Sequence, residues 1–428
     1  MIRFLYVVSV NVGLLVLLLE MASLILFFSE KRVFFYARSP VNVEDYRNRP
    51  LNTVFHPYFG YVRRFVDGSN GWVNNDGFVY ANTVDDDYDP VDYPFAPTSD
   101  QYVIGVFGGS VAQHFFHHQQ RFHTVAKLLG KLPQFEGKEI IFLQFAFAGF
   151  KQPQQMLIFS FYQTLEQPLD MALVIDGFNE VAHGAGNAAK GVPIAMPVDD
   201  IWNNMGRYVE GQNALVSGGY GAKAQWHKWA AANHRRAAER DCQFAACYYY
   251  RVALSNWHDR RHANSIGRNE ISVDDWTERS HFITRKGHSV SPNVFDWPVP
   301  AAVYVEIADQ WENSLRAMND IANARGITVL QILQPNMYFP RNRVFPPLDP
   351  NDKTYIRFIE PVEEGYPELL DRYPGMLADG INAVDGTAMM DEAADQVLID
   401  DCCHYNDAGN EIMSKFIAAQ IHNVTSLR

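Results

Sequence analysis

Basic residues are in short supply in this chain. Lysine and arginine number 36 against 49 aspartates and glutamates, a formal net charge of −13 over 428 residues. A protein that grips nucleic acid needs a basic footprint to meet the phosphates, so nucleic acid is excluded as the main partner. Cysteine is scarce as well. Four residues cannot build a disulfide scaffold, and they show no zinc-ribbon spacing. Glycine (28) and proline (22) stay near background, which excludes a collagen-like or linker-dominated chain. Neither an internal repeat nor a low-complexity tract is present. The apolar share, 47%, is that of a globular protein, and the length is enough for two or three domains.

One apolar run stands out. Phe4 to Phe28 reads FLYVVSVNVGLLVLLLEMASLILFF, about 37 Å long as a helix, against a bilayer core of about 30 Å. A cleavable signal has a shorter apolar region and an A-x-A-like exit; here the small pair Ala22–Ser23 is followed by more apolar residues. The run is read as an uncleaved membrane anchor, residues 4–28. Lys31, Arg32 and Arg38 follow it and Arg3 precedes it, so the positive-inside rule favours a cytoplasmic body. The activity argued below favours the opposite, extracytoplasmic side, and large domains translocate despite such charges. Glu20 lies inside the run, where a carboxylate is expensive. It reads either as a pairing site for a partner helix or as a protonated or snorkelling side chain near one interface.

The remainder divides by texture. Residues 31–100 are rich in Tyr, Asn, Asp and Pro; Val84–Pro97 reads as an exposed connector, with room for short covering strands elsewhere. Apolar runs at Tyr102–Phe107, Ile140–Ala146, Met171–Asp176 and Ile327–Leu333 alternate with helical stretches at about Val111–Gly130, Met156–Leu165, Ala308–Arg325 and Ala408–His422. That alternation predicts an α/β fold with a parallel sheet covered on both faces, and a site at the carboxyl ends of its strands. Residues 183–300 break the rhythm and form a long insertion with a helical middle from about Ala222 to Tyr250. It holds Trp202, Trp226, Trp229, Trp257, Trp276 and Trp297, six of the eight tryptophans. Such rings ordinarily form a core; exposed, their flat faces stack on sugars.

Several residues could carry chemistry. Ser110 follows a strand and Gly108–Gly109, and opens a helix whose N–H groups face a developing oxyanion. Near the other end stands Asp401-Cys402-Cys403-His404. Serine needs a base, histidine has a suitable pKa, and a carboxylate three residues earlier can orient the imidazole. Asp400 is the alternative orienter; its one-residue offset points elsewhere, so Asp401 is preferred. His114, His117, His118 and His123 lie in the same expected helix. His114 and His118 share a face, but no third ligand is evident, and no metal is expected. Cys242 and Cys247 could bridge only if the backbone between them is not a regular helix; free buried thiols are the default reading for both cysteine pairs.

Four blocks occur in order: Gly-Gly-Ser at 108–110, Gly149 after a strand, Gly177-Phe178-Asn179-Glu180, and Asp401-x-x-His404. Together they resemble the SGNH (GDSL-like) hydrolase superfamily, over about residues 100–182 and 305–424. The resemblance implies a flavodoxin-like three-layer α/β/α sandwich and a Ser-His-Asp triad without metal or other cofactor. Ser110 would be the nucleophile, His404 the base and Asp401 its orienter. The Ser110 and Gly149 N–H groups and the Asn179 amide would form the oxyanion hole. The family's usual Gly-Asp-Ser is Gly-Gly-Ser here, as in anchored bacterial members, and Glu180 replaces a frequent Asp. The layout expected is a membrane anchor (1–30), a covering segment (31–100), a catalytic domain (101–182 and 301–428) and an aromatic insertion (183–300). By resemblance to anchored relatives, the expected activity is an O-acetylesterase acting on an envelope or exported glycan outside the bacterial inner membrane. A glycan O-acyltransferase, a lipid esterase or thioesterase, and a non-catalytic glycan-binding subunit are the alternatives.

Overall fold

The computed structural model describes residues 2–31, 33–37, 53–63, 73–80, 90–198, 201, 220–266, 298–339, 356–393 and 396–426. Trp202, Trp276, Trp297, Arg32, Arg38 and residues 84–89 of the expected connector lie outside them. Strands β1 (Thr53–His56), β2 (Gly60–Arg63), β3 (Gln101–Gly108), β4 (Glu139–Gln144), β5 (Met171–Asp176), β6 (Thr328–Leu333) and β7 (Asn382–Asp385) are present. The longer helices are α1 (Ile2–Lys31), α2 (Ser110–Phe122), α3 (Thr124–Leu129), α4 (Gln154–Thr164), α5 (Phe178–Ala189) and α6 (Tyr220–Arg240). They continue with α7 (Ala245–Ile266), α8 (Ala301–Ala324), α9 (Ile359–Leu370), α10 (Tyr373–Ala378) and α11 (Asp407–Ser426). Two compact units result: Met1–Asn52 with Gly206–Arg279, and Thr53–Met205 with Ser280–Arg428.

The second unit is an α/β sandwich. Its five-stranded sheet has the order β4-β3-β5-β6-β7 and every pairing is parallel. Every residue of β5 and β6 is buried, as expected where helices cover both faces of a sheet. Helices α2 and α11 lie on one side; α4, α5, α8 and α9 pack together on the other. This is the flavodoxin-like strand order, and its switch point falls beside β3, where the order reverses. β7 was not expected. It is four residues long, begins with Asn and ends with Asp, and has no apolar run to betray it. The β1–β2 hairpin is antiparallel and belongs to this unit. It is tied to the sandwich by Tyr61 Oη donating to the Ala148 carbonyl at 3.2 Å and Gln154 Nε2 donating to that of Phe59 at 2.8 Å.

Two expected helices are broken. The Val111–Gly130 stretch is α2 and α3, interrupted at His123, which takes a left-handed conformation (φ +53°). The Ala222–Tyr250 stretch belongs to α6 and α7, with a turn at Asp241–Phe244 between them. That turn overturns the free-thiol expectation for Cys242 and Cys247. Without a continuous helix to rotate them apart, their Cα atoms lie 5.5 Å apart and the sulfurs are bonded. Cys402 and Cys403 are also bonded to each other.

In the first unit, α6 and α7 form an antiparallel hairpin closed by the Cys242–Cys247 bridge, and α1 packs on α7. Tyr6–Ser29 within α1 is long and apolar enough to cross a membrane. Glu20, Ser23, Leu24 and Phe27 form the covered stripe of α1, at helical i, i+3, i+4, i+7 spacing. Phe27, Phe35 and Tyr248 meet edge to face. The Glu20 carboxylate accepts N–H bonds from Ala245 and Ala246, each 2.8 Å, and the Tyr36 hydroxyl at 3.1 Å. The helix that Glu20 meets is therefore α7 of its own chain.

Candidate active site

β3 leaves the sheet at Gly108, whose φ of +144° is open to glycine; a Cβ there would collide with the Ile175 carbonyl of β5. Gly109 caps α2 and Ser110 is its first residue. The Ser110 hydroxyl thus stands at the carboxyl end of the sheet, and its own N–H is one of the helix's unpaired first donors. A Cβ at position 109 would run into Asn179 Nδ2. The Asn179 amide thus occupies the space that a side chain at 109 would need.

Opposite Ser110 lies the loop before α11. Ile399 N–H bonds to the His404 carbonyl at 3.0 Å and a bridge joins Leu398 to Tyr405, closing a tight loop. The loop is tied to the segment after β6 by Met337 N–H donating to the Cys402 carbonyl at 2.9 Å, and by the Tyr405 hydroxyl on the Pro335 carbonyl. His404 Nε2 is 2.6 Å from Ser110 Oγ. Its Nδ1 bonds to Asp400 Oδ2. With the proton on Nδ1, Nε2 is left to accept the Ser110 hydroxyl proton.

Here the structure corrects the sequence reading: Asp400, not Asp401, meets the imidazole. Asp400 Oδ1 gathers three successive backbone N–H groups, from Cys402 (3.2 Å), Cys403 (3.0 Å) and His404 (3.2 Å). That cap folds the turn so that the other oxygen faces Nδ1. Asp401 instead offers its backbone carbonyl to the Tyr338 hydroxyl. Burial alone would raise the Asp400 carboxyl. The His404 hydrogen bond and charge and the backbone donors outweigh it and hold the group below its usual value.

The remaining expected donors follow two other strand ends. Gly149 follows β4 and Asn179 lies in the first turn of α5, after β5. Asn179 Nδ2 gives one hydrogen to the Phe150 carbonyl at 2.9 Å, and an amide nitrogen carries two. Glu180 joins these arms. Its carboxylate accepts the N–H of Gly177 (2.8 Å) at the start of α5, and the N–H of Gln152 (2.8 Å) and Nε2 of Gln155 (3.2 Å) beyond β4. Glu180 stands out in the sequence only as a departure from Asp; its positioning role needed the fold. Below it, Asp176 is fully buried and accepts from Trp311 Nε1 and Gln331 Nε2, both at 3.0 Å. Burial, then the neighbouring Glu180, push the Asp176 carboxyl well up.

The histidines of α2 separate into different surroundings. His117 Nε2 lies 3.0 Å from the Val79 carbonyl, and His118 Nε2 3.3 Å from Glu411. His123 sits at the break between helices. His114 alone reaches the site, its ring centroid 5.0 Å from that of His404. Burial first, then the positive potential of His404 and His117, lower its pKa to about 4. It is a neutral hydrogen-bonding group one helical turn after Ser110. Spacing i, i+4 from the serine was the signal available for it in the sequence.

A hydroxyl, an imidazole and a carboxylate in one hydrogen-bonded line can deprotonate the hydroxyl. No family model matches the chain, and no curated protein matches it. Among solved structures, a GDSL-like lipase from Bacteroides thetaiotaomicron VPI-5482 is similar, with a TM-score of 0.34 and 9% identity, covering 76% of this chain and 89% of that one. At that level the likeness carries no argument about activity; a GDSL-like lipase is a structural neighbour of this parallel-sheet fold.

Proposed function

We propose that this chain is a membrane-anchored serine esterase of the SGNH type that removes O-acetyl groups from a cell-envelope or exported glycan. The observation that carries the reading is the Ser110–His404–Asp400 line at the carboxyl end of β3. Ser110 Oγ attacks the ester carbonyl as His404 Nε2 takes its proton. The oxyanion is received by the Ser110 and Gly149 N–H groups and the Asn179 amide. His404 then gives the proton to the departing sugar oxygen, and the acetyl group stays on Ser110. Water, deprotonated by the same imidazole, releases acetate and restores the serine. Asp400 keeps the imidazole in the right tautomer and stabilises its charged form.

Three exposed tryptophans in the anchor-bearing unit, Trp226, Trp229 and Trp257, support a carbohydrate partner. The two disulfides support an oxidising, extracytoplasmic location for the body, with α1 as the inner-membrane anchor. The test is turnover of p-nitrophenyl acetate, and acetate release from acetylated polysaccharide, by the full chain in detergent beside Ser110→Ala. The expected loss in the variant is at least about 10³-fold. Equal rates in both proteins would overturn the assignment. Alkaline phosphatase fused after Arg428 should be active if the body lies outside the cytoplasm.

A further inference from the structure

The α6–α7 hairpin carries a cleft, lined by two of the tryptophans named above, that the ester chemistry at Ser110 does not use. It measures about 560 Å³, within the range of small-ligand sites. Trp226 and Trp229, 54% and 60% exposed, stand nearly one helical turn apart along α6 at its rim. Two such rings with open faces form a platform on which sugar rings can stack, because the apolar face of a pyranose covers an indole without stripping its hydroxyls of water. His227 and His258 are both buried, with Nδ1 to Nδ1 at 2.9 Å, and His258 forms part of the cleft wall.

The polar side of the cleft is cationic. Arg236 and Arg251 both line it. Arg251 Nη1 bonds to His234 Nδ1 at 3.1 Å, and among the described residues no carboxylate pairs with it. His234 stacks on His258, and burial, then the Arg251 charge, lower its pKa, which favours the neutral imidazole. The guanidinium is thus held by an uncharged neighbour, and no carboxylate among the described residues meets its charge. By contrast Arg235, just outside the cleft, already has its carboxylate in Asp259 at 3.2 Å. Arg236 Nη2 is bonded to Asn233 Oδ1 at 2.8 Å, and Asp241 adds an acceptor suited to sugar hydroxyls.

We infer that this cleft binds a sugar residue bearing a carboxylate: its ring on Trp226 and Trp229, its anionic group on Arg251. The ligand class is an acidic polysaccharide, held by the anchor-bearing unit independently of the Ser110 site. The inference deepens the glycan reading above by naming the charge of the polymer. It shares with that reading only the carbohydrate partner, and requires no catalysis.

The experiment measures binding of hexagalacturonate to full-length protein in nanodiscs of neutral lipid, by calorimetry and by tryptophan fluorescence. All proteins carry Ser110→Ala, so turnover plays no part. Cellohexaose serves as the neutral match. Hexagalacturonate should bind at least about tenfold more tightly than cellohexaose, with affinity falling as salt rises. Trp229→Ala should weaken it about tenfold; the ring is on the surface, so the hairpin keeps its fold. Arg251→Gln should weaken it similarly and flatten the salt dependence. Equal binding of the neutral oligosaccharide, or unchanged affinity in Trp229→Ala, would overturn the proposal. So would inorganic phosphate or phosphatidylglycerol vesicles binding at these residues in place of hexagalacturonate, which would make the cleft a phosphate or lipid-headgroup site. A binding result of either kind leaves the esterase assay independent, because that assay uses a small ester and the intact Ser110.

Discussion

The carboxylate of Glu20 holds the first turn of α7, accepting the N–H of Ala245 on one oxygen and that of Ala246 on the other, each at 2.8 Å. A helix N-terminus leaves its first N–H groups without partners and carries a partial positive charge, so an acid in an apolar helix finds there the site that suits it. Glu20→Ala should destabilise the docked hairpin by about 1–2 kcal/mol. Glu20→Gln should cost less, since its amide oxygen can still accept. Hydrogen exchange at Ala245 and Ala246 in detergent checks this, and unchanged protection in Glu20→Ala would show the cap to be idle.

Asp400 and Asp401 are adjacent in sequence, and it is Asp400 whose carboxylate is bonded to the imidazole. Asp400→Asn should lower esterase turnover by about 10²–10⁴-fold, because an amide no longer fixes the tautomer of His404 or balances its charge. Asp401→Asn should leave turnover within about threefold, a surface-like effect. The reverse order in the two variants would return the orienting role to Asp401.

Gly109 matters through the amide it makes room for. Gly109→Ala should displace Asn179 Nδ2, with a rate loss approaching that of Asn179→Ala, about 10²–10³-fold for one oxyanion donor. The double variant should be little worse than either single one, since both remove the same donor. Additive losses would mean that the two positions act separately.

His114 provides a pH dependence with a definite sign. Its folded pKa, about 4, lies below the ordinary imidazole value near 6.5, so the unfolded chain binds a proton more readily. Stability should therefore fall as pH drops from about 6.5 towards 4, and His114→Gln should flatten that part of the profile. Asp400 adds a second decline at lower pH, where its depressed carboxyl finally takes a proton. Thermal unfolding of both proteins from about pH 2 to 8 separates these contributions, with the His114 part between about 6.5 and 4 and the Asp400 part below it; identical slopes between 6.5 and 4 would remove His114 as a cause.

The Cys242–Cys247 bridge closes a short loop at the tip of the hairpin. Cys242→Ser with Cys247→Ser should lower the stability of the hairpin by about 2 kcal/mol, the lower part of the range for disulfides. Proteolysis at the 241–244 turn with and without dithiothreitol reads this out. A parent protein that gains no susceptibility on reduction would argue that the bridge contributes little.

Much of the sandwich was legible because its signals are local. Parallel strands covered on both faces must be apolar throughout, and the runs around Ile104, Leu173 and Leu330 announce them without reference to anything distant. The β7 strand was silent for the converse reason: at the edge, four residues beginning with Asn need little apolar character. His123 and the 241–244 turn interrupt helices whose composition runs on unbroken, so their positions were set by packing and by the backbone conformation it selects. Ser110, His404 and Asn179 could be singled out from short blocks, since each stands at a strand or helix end that the apolar pattern marks. The choice of Asp400 over Asp401 could not. It depends on which carboxylate gathers the three N–H groups of the 402–404 turn, and that turn is also tied by Tyr405 and Cys402 to Pro335 and Met337, across a separation of about seventy residues. Residue types and spacing selected the candidates; the long-range hydrogen bonds that shape the loop decided which of them meet.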